Sequence, residues 1–227
     1  TGLRANTVLW YCGDNGTPQE AVATVPFRAQ KGSIYEGGIR VPGLIEWPAK
    51  ISRPRATDVN AVTSDMLPTL CDLVGRPLPR RPLDGLSLRP LLEGTMTERA
   101  APICFWDDPI ARHTGAKPYL DPELQKGTTP LAKLGPDGTA TRNFQNFHHH
   151  EILPQDYVGS RAIVGNRYKL VVDGTQGSGR ELFDLRADPA EKNNLIATHA
   201  AEADQLAAVL QTWQRSVLES LTGADDR

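Results

Sequence analysis

Thr7-Val8-Leu9-Trp10-Tyr11-Cys12-Gly13-Asp14-Asn15-Gly16 decides the reading of the N-terminal part of this 227-residue chain. The run from Thr7 to Cys12 is continuous and apolar, and it ends at Gly13-Asp14-Asn15-Gly16. Its composition suits a strand buried on both faces, as in a parallel sheet covered by helices. The Gly-Asp-Asn-Gly turn then falls at the strand's carboxyl end, where open α/β sheets place their ligands.

Working outward, Gly43 to Trp47 is a second short strand, closed by Pro48. A helix is predicted over 64–74. Ser64 caps it, Pro68 lies near the first turn, and Met66, Leu67, Leu70, Leu73 and Val74 recur at helical spacing. Gly75 is its left-handed stop. Residues 76–95 read as an ordered connection, Ile103 to Trp106 as a strand, and 107–154 as a long loop that is functional or mobile. Arg161 to Val164 and Arg167 to Val172 form a hairpin across a Gly165-Asn166 turn, with a third strand over Glu181 to Leu185. Leu206, Leu210, Trp213, Val217 and Leu221 mark one face of a C-terminal helix that Gly223 ends. The expected organisation is a partial α/β sheet domain over residues 1–95. A subdomain over 96–227 follows, a small antiparallel sheet with a packed helix.

The charge balance excludes several classes of partner. Twenty-five Lys and Arg face 27 Asp and Glu, for a net charge of -2. No basic run or nucleic-acid motif is present, so neither nucleic acid nor a membrane surface is an expected partner. No apolar run approaches the ~20 residues of a membrane span. The first residues lack the pattern of a signal peptide and read as the middle of a domain. Cys12, Cys71 and Cys104 form no C-x-x-C pair and are read as buried free thiols.

Four groups of residues invite chemistry. Asp14 and Asn15 before Gly16 are ordinary turn residues, yet a carboxylate beside an amide oxygen also suits a hard cation such as Ca²⁺. Two oxygens are too few, since calcium takes about 6–8. Lys31 before Gly32 is either a solvated lysine or a point charge for an oxyanion. Gly37-Gly38 marks a tight bend or close packing, and Glu36 and Arg40 can pair. His148-His149-His150-Glu151 invites a transition-metal reading, but consecutive residues rarely converge on one ion. Asp107-Asp108 after Trp106 begins a polar loop when read from the residues alone.

The order of several motifs resembles the sulfatase family. They are Asn6 to Gly16, Pro26-Phe27-Arg28-Ala29-Gln30-Lys31-Gly32, and Tyr35-Glu36-Gly37-Gly38-Ile39-Arg40-Val41-Pro42. Ile45-Glu46-Trp47-Pro48, Asp65 to Leu70, and Leu83 to Leu88 continue the match. Arg167-Tyr168-Lys169-Leu170, Glu181 to Leu185, Asp188-Pro189 and Asn193-Asn194-Leu195 resemble the family's C-terminal subdomain.

The resemblance implies an alkaline-phosphatase-like α/β fold and hydrolysis of sulfate esters of sugars or aryl alcohols. It also implies bound Ca²⁺ or Mg²⁺ and a formylglycine nucleophile. By the same resemblance Asp14 and Asn15 are metal ligands and Lys31 contacts the sulfate. Glu36, Gly37, Gly38 and Arg40 shape the turn around the site. Because the family's C-terminal part can reach the active-site mouth, the resemblance also makes His148 and His149 substrate contacts in preference to metal ligands, and lets Asp107-Asp108 line a sugar pocket as the alternative to a polar loop start. The family's C-x-P-S-R or S-x-P-S-R nucleophile pattern occurs nowhere in these residues. The expectation is therefore a C-terminal part, inactive alone, with the formylglycine in a missing N-terminal half. Self-association or pairing with that half is the expected interaction. A phosphate or phosphonate ester hydrolase and a non-catalytic scaffold are the alternatives. Family habit suggests a secreted, periplasmic or lysosomal protein.

Overall fold

Four strands between Ile103 and Asp184 build an antiparallel sheet whose two faces are both covered. In the computed structural model the described residues are 2–18, 25–107, 157–173, 179–222 and 224–225. His148, His149 and nearly all of the 107–154 loop lie outside them. Among the described residues, those up to 107 and from 158 to 213 belong to one compact unit, whereas the end of the last helix from Gln214 belongs to a second.

The sheet runs β3 (Ile103–Asp107), β4 (Ser160–Val164), β5 (Tyr168–Asp173) and β6 (Gly179–Asp184), each antiparallel to the next. The register places Cys104 opposite Ile163, Ile163 opposite Leu170, and Leu170 opposite Leu182. Side chains alternate across a pleated strand, so this row shares one face. It packs with Ala203 and Leu210 of α4 (Ala200–Leu221). Ala162, Val171 and Phe183 share the other face and pack with Ile34. Leu170, Leu182, Leu210 and Phe183 are all at most 1% exposed. Each such burial contributes about 1.5–3 kcal/mol. The segment around Ile34 is thereby fixed to the sheet, and that segment carries the candidate site.

The hairpin turn is shifted by one residue from the expected one. Gly165 stays in the ladder, its N–H donating to the Tyr168 carbonyl at 2.9 Å, and Asn166 and Arg167 form the bend. Neither takes a positive φ. Asn166 is held there because its side chain exchanges two hydrogen bonds with the Arg99 backbone, at 2.8 and 3.0 Å.

The N-terminal strand differs more. β1 (Leu9–Cys12) pairs antiparallel with β2 (Gly43–Glu46) in a two-stranded ribbon. Leu9, Tyr11 and Leu44 are 51%, 60% and 54% exposed. A strand buried on both faces in a parallel sheet is therefore not what the described residues show. The chain between the strands doubles back on its own hydrogen bonds, with Gly13 N–H to the Pro42 carbonyl (3.1 Å) extending the ladder. That return makes the pair antiparallel.

The helix predicted over 64–74 is α2 (Met66–Leu73), with Gly75 at φ +66° behind it. Ser64 is not its cap. A 3₁₀ turn over Thr63–Asp65 leads in, and the Asp65 carboxylate accepts the Val62 N–H at 2.9 Å. Leu67, Leu70 and Val74 are exposed, and the buried positions are Pro68 and Thr69. Among the described residues there are also the short helices α1 (Glu36–Ile39) and α3 (Arg89–Leu92) and a 3₁₀ turn over Arg4–Asn6.

Candidate functional site

The loop after β1 is stitched by its backbone to the turn that holds Glu36, Gly37 and Gly38. Gly16 N–H donates to the Gly38 carbonyl at 3.0 Å, and Thr17 N–H to the Gly37 carbonyl at 2.8 Å. Lys31 N–H donates to the Thr17 carbonyl at 2.8 Å. Residues 13–17 are thus joined into one layer with a later stretch of the chain: Lys31, α1, and Val41-Pro42 behind Gly13.

Glycine is required at each crossing. A Cβ on Gly16 would collide with the Gly37 and Gly38 carbonyls. On Gly37 it would meet the Ala29 and Arg28 carbonyls, and on Gly38 those of Ser33 and Gln30. The obstacles are all backbone, so no side-chain rotation relieves them. The double glycine reflects close packing.

The polar groups on this layer are spare. Asp14 and Lys31 are exposed and Asn15 is half-buried. Asn15 Nδ2 donates to the Gly16 carbonyl at 3.0 Å, which fixes the amide and commits its donor end to the backbone. Its Oδ1, the end a cation would take, has no donor among the described residues. A carboxylate and an oriented amide oxygen on one turn fit a hard cation by donor type. Among the described residues, however, no group of three or more His, Cys, Asp or Glu gathers anywhere. A calcium shell at this turn would need further oxygens. Asp107 ends β3, exposed and opposite Ser160, and nothing among the described residues joins it to the 13–17 loop.

Beneath this layer lies a set of buried charges that the motifs alone did not disclose. Lys169 on β5 is 0% exposed. Its Nζ sits 3.0 Å from Glu36 Oε1 and 2.8 Å from Glu191 Oε1. Glu191 Oε2 accepts the Glu36 backbone N–H at 2.7 Å. Arg40 Nε approaches Glu36 Oε2 at 3.5 Å, so the two signature charges do pair, loosely. Burial pushes the Glu191 carboxyl above its ordinary value, and Lys169 only partly opposes that. Taking such ions out of water costs on the order of several kcal/mol each before their attraction is counted.

The backbone beside the cluster is strained as well. Glu191 and Ala29 take φ of +54° and +62°, a conformation costing a non-glycine residue about 1–2 kcal/mol. One sequence signal for Lys169 existed, a lone charge inside the apolar run of β5. Glu191 gave none, since it stands among Lys, Asn and Asp residues that read as solvated.

A second brace joins the segment to the sheet. Arg28 stacks on Tyr35, with its guanidinium carbon 3.8 Å from the ring centroid, and donates to Glu181 at 3.1 Å. The Tyr35 hydroxyl donates to the same carboxylate. Burial and the Glu181 carboxylate raise the tyrosine's pKa, so it stays a donor. A separate cleft of about 370 Å³, lined by Arg99, Asn166, Arg167, Glu202, Gln205 and Leu206 among others, contains no residue of the 13–17 loop.

Comparison with known proteins places this layer. Residues 1–76 match the family model described as Sulfatase. The chain is 42% identical to human arylsulfatase A over 98 residues, which cover 41% of the chain and 19% of that protein. It is 32% identical to a sulfatase of Formosa agariphila over 206 residues, 88% of the chain and 31% of the relative. A solved structure described in complex with its substrate D-glucosamine-2-N,6-O-disulfate shares the fold. Its TM-score is 0.59 at 20% identity, over 95% of this chain and 35% of that one. The chain therefore spans about a fifth to a third of the length of these relatives. All of the 13–17 loop, Lys31 and α1 fall inside the matched family model, and the chain belongs to the sulfatase family.

Proposed function

We propose that this chain supplies the metal- and sulfate-holding side of a sulfuric ester hydrolase acting on sulfated sugars or aryl sulfates. The carrying observation is the layer in which Asp14 and Lys31 are exposed and Asn15 keeps an amide oxygen without a donor among the described residues, on a backbone tied by its own hydrogen bonds at close glycine crossings. Rigid, pre-placed charge is what stabilises charge developing on a reacting anion. Asp14 and Asn15 would hold Ca²⁺ or Mg²⁺, and a bound divalent ion would polarise a sulfate oxygen. Lys31 would place its ammonium group against the same anion. Asp107, His148 and His149 are proposed as substrate contacts. The nucleophile, a formylglycine in the family, comes from residues outside these 227.

The test is hydrolysis of 4-nitrophenyl sulfate by two proteins in the presence of Ca²⁺. One is the 227-residue chain alone. The other is a chimera in which it replaces the matching portion of the Formosa agariphila sulfatase. The chain alone should give no turnover. The chimera should turn over, and Lys31→Ala should lower its kcat by about 10²–10³, the scale for losing one pre-placed charge-stabilising group. Asn15→Ala should raise its Ca²⁺ requirement. Turnover by the isolated chain, or a folded chimera indifferent to both substitutions, would overturn the proposal.

A further inference from the structure

We infer that Lys169 is a positioning residue for the 13–17 loop, acting from the opposite side of the layer through Glu36 and Glu191. The inference rests on the preceding reading only in naming that loop as the metal and sulfate loop. Its geometry is independent of that name.

The path is continuous and short. Lys169 Nζ holds Glu36 Oε1 and Glu191 Oε1, and Glu191 Oε2 takes the Glu36 N–H. Glu36 is thus gripped twice, by side chain and by backbone, at the first residue of α1. The next two residues, Gly37 and Gly38, present the carbonyls that receive Thr17 N–H and Gly16 N–H. Asn15 in turn donates to the Gly16 carbonyl. Every link from the β5 ammonium group to the Asn15 amide is a direct contact.

The chemistry of the cluster argues for this role over that of simple fold cement. The same segment is already fixed to the sheet by Ile34 in the apolar cluster and by Arg28 and Tyr35 on Glu181. Adhesion needs no buried lysine between two carboxylates, because apolar side chains of equal volume often do as well or better. What the ions add is direction. One ammonium group with two carboxylates tolerates only a narrow set of positions for Glu36. Where Glu36 sits determines where the Gly37 and Gly38 carbonyls sit. Substrate need not touch Lys169, and with no exposed surface it cannot.

The test is amide hydrogen exchange on the full chain, without metal or substrate, in Lys169→Met and in Glu191→Gln. Glu191→Gln keeps the shape and the acceptor for Glu36 N–H while removing one charge, so it stands if Lys169→Met fails to fold. Exchange at Gly16 and Thr17 should accelerate at least tenfold in Lys169→Met and by a smaller factor in Glu191→Gln. The Ile163 and Leu170 amides of β4 and β5 should change less than twofold. Unchanged exchange at Gly16 and Thr17, or acceleration only in step with the β4 and β5 amides, would overturn the inference. No turnover is measured, so this outcome and that of the Lys31 and Asn15 test are separate.

Discussion

Asp65 shows how a single residue can organise a stretch of chain that contains little regular structure. Its carboxylate receives both Arg99 terminal nitrogens at 2.7 Å and also the Val62 and Leu86 N–H groups at 2.9 Å. Asp65 is 0% exposed and Arg99 5%. Arg99→Met leaves a buried carboxylate with two amide donors and no counter-charge. It should lower stability by about 3–5 kcal/mol, read from urea unfolding. Replacing both residues, as Asp65→Leu with Arg99→Met, should not restore the loss, because the Val62 and Leu86 N–H groups then lose their acceptor. Full recovery in the double variant would show that those backbone bonds contribute little. Asp184 makes a prediction about pH. The Arg167 guanidinium, at 2.8 Å, holds its carboxyl below the ordinary value of 3.8, aided by the Ala187 and Arg186 N–H groups. A depressed carboxyl contributes stability that is present above the unfolded value and lost as pH falls through the folded one. The melting temperature should therefore drop as pH goes from 4 toward 2, and Arg167→Met should flatten that drop. An equal slope in the variant would refute the assignment. Glu191, shifted upward, works the other way: stability declines as pH rises from the ordinary carboxyl value through the raised folded one.

At the scale of elements, the sequence was most legible where a pattern is enforced on one strand or one helix. The β4–β5 hairpin and β6 follow from short apolar runs separated by turn and loop residues, α4 follows from the 3.6-residue period, and Gly75 marks the end of α2 as its left-handed φ requires. The errors share a cause. Apolar composition told that Leu9 to Cys12 is a strand but not which strand it pairs with, and pairing is a property of the return path. At α2, Leu67, Leu70 and the following Val74 fit a helical period, but period says which face is apolar and not what covers it. The turn at 165–168 slipped by one because Asn166 answers to the Arg99 backbone, a contact between residues 67 apart. The site divides in the same way. Asp14, Asn15, Lys31 and the double glycine stand in compact motifs, and the close backbone approach implied by Gly37-Gly38 is visible in the text. Lys169 and Glu191 reach Glu36 across 133 and 155 residues; the lone charge in the apolar run of β5 marks Lys169 as unusual, but nothing local to either residue names its partner.

For the molecule as a whole, the surface of the β1–β2 ribbon is the feature with the clearest consequence. Leu9 and Tyr11 lie two apart on β1, and Leu44 stands opposite Tyr11, so the three side chains share one face. All three are more than half exposed, and Leu67 and Leu70 on α2, with Val74 just after it, add further apolar surface. Among the described residues each ribbon strand also has one edge without a strand partner. Isolated exposed leucines are unremarkable, but a contiguous apolar stripe beside an open edge invites another chain. The 227-residue chain, at 24.8 kDa, should therefore sediment as species heavier than a monomer, increasingly so with concentration. Tyr11→Lys with Leu44→Lys should shift it toward the monomer, since charge on that face opposes both burial and edge pairing. A Leu67→Lys, Leu70→Lys pair on α2 would separate the contribution of the helix from that of the ribbon. If only the α2 pair reduces association, the ribbon is not the contact. A monomer at every concentration would mean that neither surface drives self-association, and that apolar exposure at the ribbon is tolerated by its charged neighbours Arg4 and Glu46, paired at 2.7 Å on its margin.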